Sequence, residues 1–179
     1  MTDMWVFGYG SLMWRPGFEY AERQPALMEG AHRSLCIYSV IHRGTWAKPG
    51  LVLGLDAGGV CQGVAFRVSE EFVRQTRKYL RKREQGLNVY QEKTRPIKLL
   101  DGSGRTVRAT SFLVNRTHPH YTGLINFSRQ VYLVRNGVGQ SGANIDYVLN
   151  TVEHLDELEI ADPPMTRLAA ALDYKRFNI

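Results

Sequence analysis

Apolar positions in this chain fall in short runs over the first two thirds and at helical spacing over the last third. The opening run, Met4-Trp5-Val6-Phe7, is rich in aromatic and β-branched side chains and predicts a buried strand. A polar connection follows, then a second strand over 34–41. Residues 51–55 and 60–68 read as the two arms of a hairpin around Asp56-Ala57-Gly58-Gly59, with Gly54 and Gly63 marking bends or bulges. Ser69-Glu70-Glu71-Phe72 is a helix start, with a serine at the N-cap and acids in the first turn. Phe72, Val73, Thr76, Tyr79 and Leu80 form one face of that helix, which is expected to end by Gly86. Residues 89–100 alternate apolar and polar positions, and Pro96 marks an edge or bulge. After the turn Asp101-Gly102-Ser103-Gly104 comes a returning strand over 107–114. Helices are predicted over 127–134, 144–158 and 165–172, with Pro163-Pro164 opening the last. Strands followed by helices predict an α+β fold. The expected form is a curled, mainly antiparallel sheet or barrel with flanking helices and a helical C-terminal third, in a single domain over 1–179.

Composition narrows the function classes. A chain of 179 residues with 44% hydrophobic content can bury a substantial core without a disulfide framework. Cys36 and Cys61 fall on predicted strands and read as reduced, packed thiols. No apolar stretch is long enough to span a bilayer, and Met1-Thr2-Asp3 lacks the basic region of a signal peptide. The expectation is a cytoplasmic protein without a membrane partner. Much of the formal charge of +6 sits in Arg74, Arg77, Lys78, Arg81, Lys82 and Arg83. No nucleic-acid motif or aromatic ladder accompanies them, so a solvated helix face is expected and no nucleic-acid partner.

The first candidate for chemistry is Gly8-Tyr9-Gly10-Ser11-Leu12, directly after the opening strand. Glycines lacking Cβ let a backbone turn sharply or approach a ligand, and successive amides in such a turn form an anion-binding concavity. The turn is therefore either a connector or a grip for a carboxylate, a phosphate or a developing oxyanion. A dinucleotide fingerprint fails: its sixth position is Met13, and Trp14-Arg15-Pro16-Gly17 is a poor helix opening. Glu29 lies near the distance of a ribose acid, but no clear strand precedes it. A P-loop fails for want of Gly-Lys-Ser/Thr.

The second candidate is Glu84. Helical spacing puts it on the margin of the apolar stripe, next to Leu80, whereas Arg83 falls nearer the stripe's centre. Partial burial would raise its pKa toward that of a general base, and neighbouring cations oppose this. Periodicity alone leaves open an exposed Glu84 paired with Arg81 or Arg77. His118-Pro119-His120, with Glu153, His154 and Glu157, lacks the spacing of metal ligands, and no metal is expected there.

Several separated motifs, in order, are similar to those of ChaC-type γ-glutamylcyclotransferases. They run from Trp5-Val6-Phe7-Gly8-Tyr9-Gly10-Ser11-Leu12 through His42-Arg43-Gly44-Thr45 and Lys48-Pro49-Gly50 to Gly63-Val64-Ala65-Phe66-Arg67. Tyr79-Leu80-x-x-Arg83-Glu84, Tyr121-Thr122-Gly123 and Gly139-x-Ser141-Gly142-x-Asn144-x-x-Tyr147 complete the series. The resemblance implies a γ-glutamylcyclotransferase-like fold and cleavage of glutathione to 5-oxoproline and cysteinylglycine, with no cofactor. It implies that Tyr9, Gly10, Ser11 and Leu12 hold the γ-glutamyl group and that Glu84 is the acid/base. Arg43 and Tyr121 are further candidates for orienting the peptide's carboxylates. The alternatives are a cyclotransferase for other γ-glutamyl amines or dipeptides, and a non-catalytic regulatory protein linked to cation transport.

Overall fold

A computed structural model describes residues 2–84 and 88–172. Its Cα positions divide the chain into two compact units, Met1–Ser34 with Gly54–His118, and Leu35–Leu53 with Pro119–Ile179.

The first unit contains the pairings of a closed barrel with strand order β1-β3-β2-β4-β5. The strands are β1 (Met4–Gly8), β2 (Glu22–Ser39), β3 (Gly50–Val68), β4 (Tyr90–Leu99) and β5 (Thr106–Val114), and the far ends of β2 and β3 belong to the second unit. β1 runs antiparallel to β3, from Met4 opposite Val68 to Gly8 opposite Val64. β4 runs antiparallel to β5, and Ala26 and Leu27 of β2 pair antiparallel with Leu99 and Lys98 of β4. Closure is by parallel pairing: Trp5 and Val6 lie opposite Ala109 and Thr110, and Leu55 opposite Leu113. The expected mainly antiparallel sheet is thus a mixed barrel. β1 can pair on both edges because Val6 and Phe7 are fully buried, as the apolar run requires.

Two strand readings need correction. β2 begins at Glu22, twelve residues before the predicted start at 34. Its first four residues, Glu22 to Pro25, alternate half-buried and exposed positions, but the half-buried ones, Glu22 and Gln24, are polar, so the strand's start carries no apolar signal. The predicted hairpin at Asp56–Gly59 is one continuous strand, β3. Gly58 and Gly59 take φ of +94° and +72°, which bends the strand without reversing it. Asp56 is buried beside the bend, where its Oδ1 accepts from Arg116 Nε at 2.6 Å and from the Ala57 amide at 2.8 Å.

Helix α1 (Glu70–Glu84) buries Val73, Thr76 and Leu80, on the predicted face. Val73 and Leu80 join Met4, Val6, Leu12, Val68 and Phe112 in one core cluster, against which Phe72 and Tyr79 pack. The helix starts after Ser69, and the Glu70 amide donates to Asp3 Oδ1 at 3.1 Å. The expected end at Gly86 lies outside the described residues. Asp3 also belongs to a surface network. Arg67 bridges Asp3 and Glu22 at 2.7 and 2.9 Å, and Arg105 bridges Glu22 and Asp101 at 2.8 and 2.7 Å. Hydrogen bonds from Arg105 and Arg67 hold Glu22 below its usual carboxylate value, and Arg105 and Ser103 do the same for Asp101. For such groups the unfolded chain binds more protons on the acid side, so stability falls as pH drops below about 4.5. Urea midpoints measured from pH 6 down to pH 3 should decline, and Arg105→Gln should decline less steeply. Equal slopes in parent and variant would remove the network from the pH response.

In the second unit, α2 (Phe127–Asn136), α3 (Asn144–Glu157) and α4 (Pro163–Leu172) pack on one another. Asn126 caps α2 by accepting from the Arg129 amide at 2.8 Å, and Asp162 caps α4 through the Met165 amide at 3.1 Å. A two-residue ribbon, β6 (Val138–Gly139) with β7 (Gly142–Ala143), separates α2 from α3. Asn144 is fully buried at the start of α3. Its side-chain amide accepts from Leu51 N at 2.6 Å and donates to Leu51 O at 2.8 Å, as a neighbouring strand would. Among the described residues no helix is long and apolar enough to cross a membrane.

Candidate active site

The glycine turn is held from several sides within the first unit. β1 ends at Gly8, and Ser11–Met13 form a single 3-10 turn after Gly10. Neither Gly8 nor Gly10 takes a positive φ, so the expected sharp glycine bend is instead a strand-to-helical-turn step. Met13 N donates to Gly10 O at 2.9 Å and is the first donor inside the turn, so the Gly10, Ser11 and Leu12 amides precede it. The Leu12 side chain is buried in the core cluster with Val73 and Leu80 of α1. Tyr9 is buried as well, and its carbonyl accepts from Arg33 Nε at 2.6 Å. Arg33 Nη2 also donates to Gln62 O at 2.7 Å, tying the turn to β3.

The other side of the turn meets α1. Arg83 Nη2 donates to Ser11 Oγ at 2.8 Å. Arg83 Nη1 donates to Arg15 O at 2.7 Å and to Tyr79 Oη at 2.8 Å. Gly17, with φ +74°, sits so close to the Tyr79 hydroxyl that a Cβ there would collide with it. Phe18 completes the contact, edge-on to the Tyr79 ring at 6.3 Å between centroids.

Glu84 follows on the same helix. Its side chain is 16% exposed, and Oε1 lies 3.5 Å from Arg83 Nε. The exposed Glu84 paired with Arg81 or Arg77, left open by periodicity, is not what the structure contains: Arg81 pairs with Glu92 at 2.8 Å. Burial pushes the Glu84 carboxyl above its ordinary value, and the Arg83 charge partly opposes that. One guanidinium thus touches both the Ser11 hydroxyl and the Glu84 carboxylate. A carboxylate whose pKa is raised by desolvation is better suited to take and return a proton than an exposed one.

Arg43 and Tyr121 belong to the second unit. Arg43 Nη1 donates to Ala143 O at 3.2 Å, and its guanidinium lies 5.5 Å from the centre of the Tyr147 ring. Tyr121 forms an antiparallel bridge with Ile37. A groove of about 750 Å³ lined by α3 and α4, with Asp146, Glu153 and Asp156, contains none of the candidate residues. Among the described residues, no three His, Cys, Asp or Glu side chains gather as metal ligands would.

Of the two arginines that hold the turn, Arg33 went unnamed in the sequence and Arg83 was named without a role. Arg33 lies within β2 between buried Ala31 and Leu35, where a polar position gives no sign of its role. Arg83 did carry a signal: a cation near the centre of an apolar stripe requires polar partners.

The backbone has the architecture of a known glutathione-acting enzyme. It superposes on the crystal structure of a yeast γ-glutamyl cyclotransferase specific to glutathione with a TM-score of 0.86, at 23% identity and 97% coverage of both chains. Residues 4–174 match the ChaC-like protein family, and the chain belongs to it. A glutathione-specific γ-glutamylcyclotransferase from Escherichia coli (strain K12) is 34% identical over 169 residues, covering 94% of this chain and 72% of that protein. Glutathione-specific γ-glutamylcyclotransferase 1 from Homo sapiens is 32% identical over 157 residues, covering 85% and 69%.

Proposed function

We propose that this chain is a γ-glutamylcyclotransferase that cleaves glutathione to 5-oxoproline and cysteinylglycine. The observation that carries the reading is the half-buried Glu84 carboxylate, joined through Arg83 to Ser11 of the glycine turn. Relatives over 30% identical that are named for this activity support the substrate.

The reaction needs little from protein side chains. The α-amine of the γ-glutamyl group attacks its own side-chain carbonyl. A C–N bond forms to close the five-membered ring, and the amide C–N bond to cysteine breaks. The nucleophile belongs to the substrate, so no serine or cysteine nucleophile is called for. Folding the substrate into its attack conformation supplies several kcal/mol. In this reading Glu84 removes the proton from the attacking amine and delivers it to the leaving amine. The amides of Gly10, Ser11 and Leu12 hold the γ-glutamyl group and the developing oxyanion. Tyr9 shapes the same cradle.

The purified chain incubated with glutathione should release 5-oxoproline and cysteinylglycine in equal amounts. Release from other γ-glutamyl amines or dipeptides with none from glutathione would redirect the substrate assignment. No product from any γ-glutamyl compound would overturn the reading.

A further inference from the structure

Arg83 has a place in this site that acid/base chemistry alone does not assign. Its guanidinium spends two nitrogens on the turn and its supports. Nη2 reaches Ser11 Oγ at 2.8 Å, and Nη1 reaches Arg15 O at 2.7 Å and Tyr79 Oη at 2.8 Å. Nε is left toward Glu84, at 3.5 Å from Oε1, an ion-pair contact longer than a good hydrogen bond. Arg83 itself is 23% exposed, so these bonds form in a partly desolvated setting. A planar fork with fixed donor directions sets the relative position of the groups it joins, which a flexible ammonium does not.

We propose that Arg83 is a positioning residue of this site: its guanidinium is the strap that sets the distance and orientation between the Tyr9–Leu12 turn and the Glu84 carboxylate. This rests on the cyclotransferase reading above. The strap has two separable functions. Its fork fixes geometry, and its charge tempers the rise in the Glu84 pKa that burial causes. The groups facing the guanidinium are the Ser11 hydroxyl from the 3-10 turn, the Arg15 carbonyl from the segment after it, and Tyr79 and Glu84 from α1. Of these, Glu84 carries the charge that the guanidinium opposes.

Three variants separate the functions, each assayed for 5-oxoproline release from glutathione across pH with its folding checked by circular dichroism. Arg83→Gln removes fork and charge. It should lose about 10²-fold in kcat, the scale of a misplacement near 1 Å. Its acid limb should move to higher pH, because the cation that opposed burial is gone. Arg83→Lys keeps the charge and should lose kcat with the acid limb in place. Tyr79→Phe removes one acceptor of the fork and should lower kcat less, again with the limb unmoved. It also serves as the test if the Arg83 variants do not fold. Parent-like kcat in Arg83→Lys, or in a folded Arg83→Gln, would overturn the strap. So would a shifted acid limb or unchanged kcat in Tyr79→Phe. A parent chain that releases no 5-oxoproline would instead overturn the functional reading, and the strap with it.

Discussion

Glu84→Gln is expected to lower 5-oxoproline release from glutathione by about 10²–10⁴-fold, the usual contribution of a positioned acid/base. The carboxamide keeps the shape of the side chain but cannot take a proton and return it. The same substitution should leave stability at neutral pH unchanged or slightly raised. Burial lifts the Glu84 pKa above its ordinary value of 4.5. Between that value and the lifted one, the folded chain binds more protons than the unfolded chain, so stability falls as pH rises through the window. A neutral glutamine lacks that loss. The parent's activity should also have an acid limb above the ordinary carboxylate range, since the base form is required. Rates paired with urea midpoints at pH 7 test both statements. Near-parent turnover in the variant would remove Glu84 from the acid/base role.

Asn144→Ala should cost about 2–5 kcal/mol of stability, because it strands two backbone groups at once. Leu51 is fully buried, and its N–H and C=O both end on the Asn144 side chain, at 2.6 and 2.8 Å. An unpaired buried polar group costs about 1–3 kcal/mol, more than the net gain of an ordinary hydrogen bond. The nearby bond from Leu53 N to Tyr147 Oη, at 3.1 Å, cannot take over, since it serves a different residue. Denaturant unfolding of the variant measures the loss. A change under 0.5 kcal/mol would mean that water or a shifted backbone satisfies Leu51.

What could be read in the sequence follows from where side chains point. α1 was legible because Val73, Thr76 and Leu80 recur at helical spacing and are the residues that end up buried. β1 was legible because pairing on two edges demands a continuous apolar run. The start of β2 was not, because Glu22 and Gln24 sit half-buried in polar company, where Glu22 meets Arg67 and Arg105. The Asp-Ala-Gly-Gly step has the composition of a hairpin turn, yet β3 runs on through it, with Asp56 held by Arg116 at sequence distance 60. Glu84 was singled out by resemblance and not by periodicity, which favoured Arg83. The two side chains lie 3.5 Å apart and Arg83 reaches Ser11 of the turn, so the ambiguity reflected a real arrangement in which cation and carboxylate share the end of one apolar stripe.

Leu12 lends its side chain to the same hydrophobic cluster as Leu80, while its amide stays with the turn and Leu80 lies one helical step before Glu84. The turn and the Glu84 carboxylate therefore have a common foundation. Within the first unit neither can loosen by itself, so heat should erase catalysis by melting that shared core in one cooperative step, and not by gradual fraying of an active-site loop.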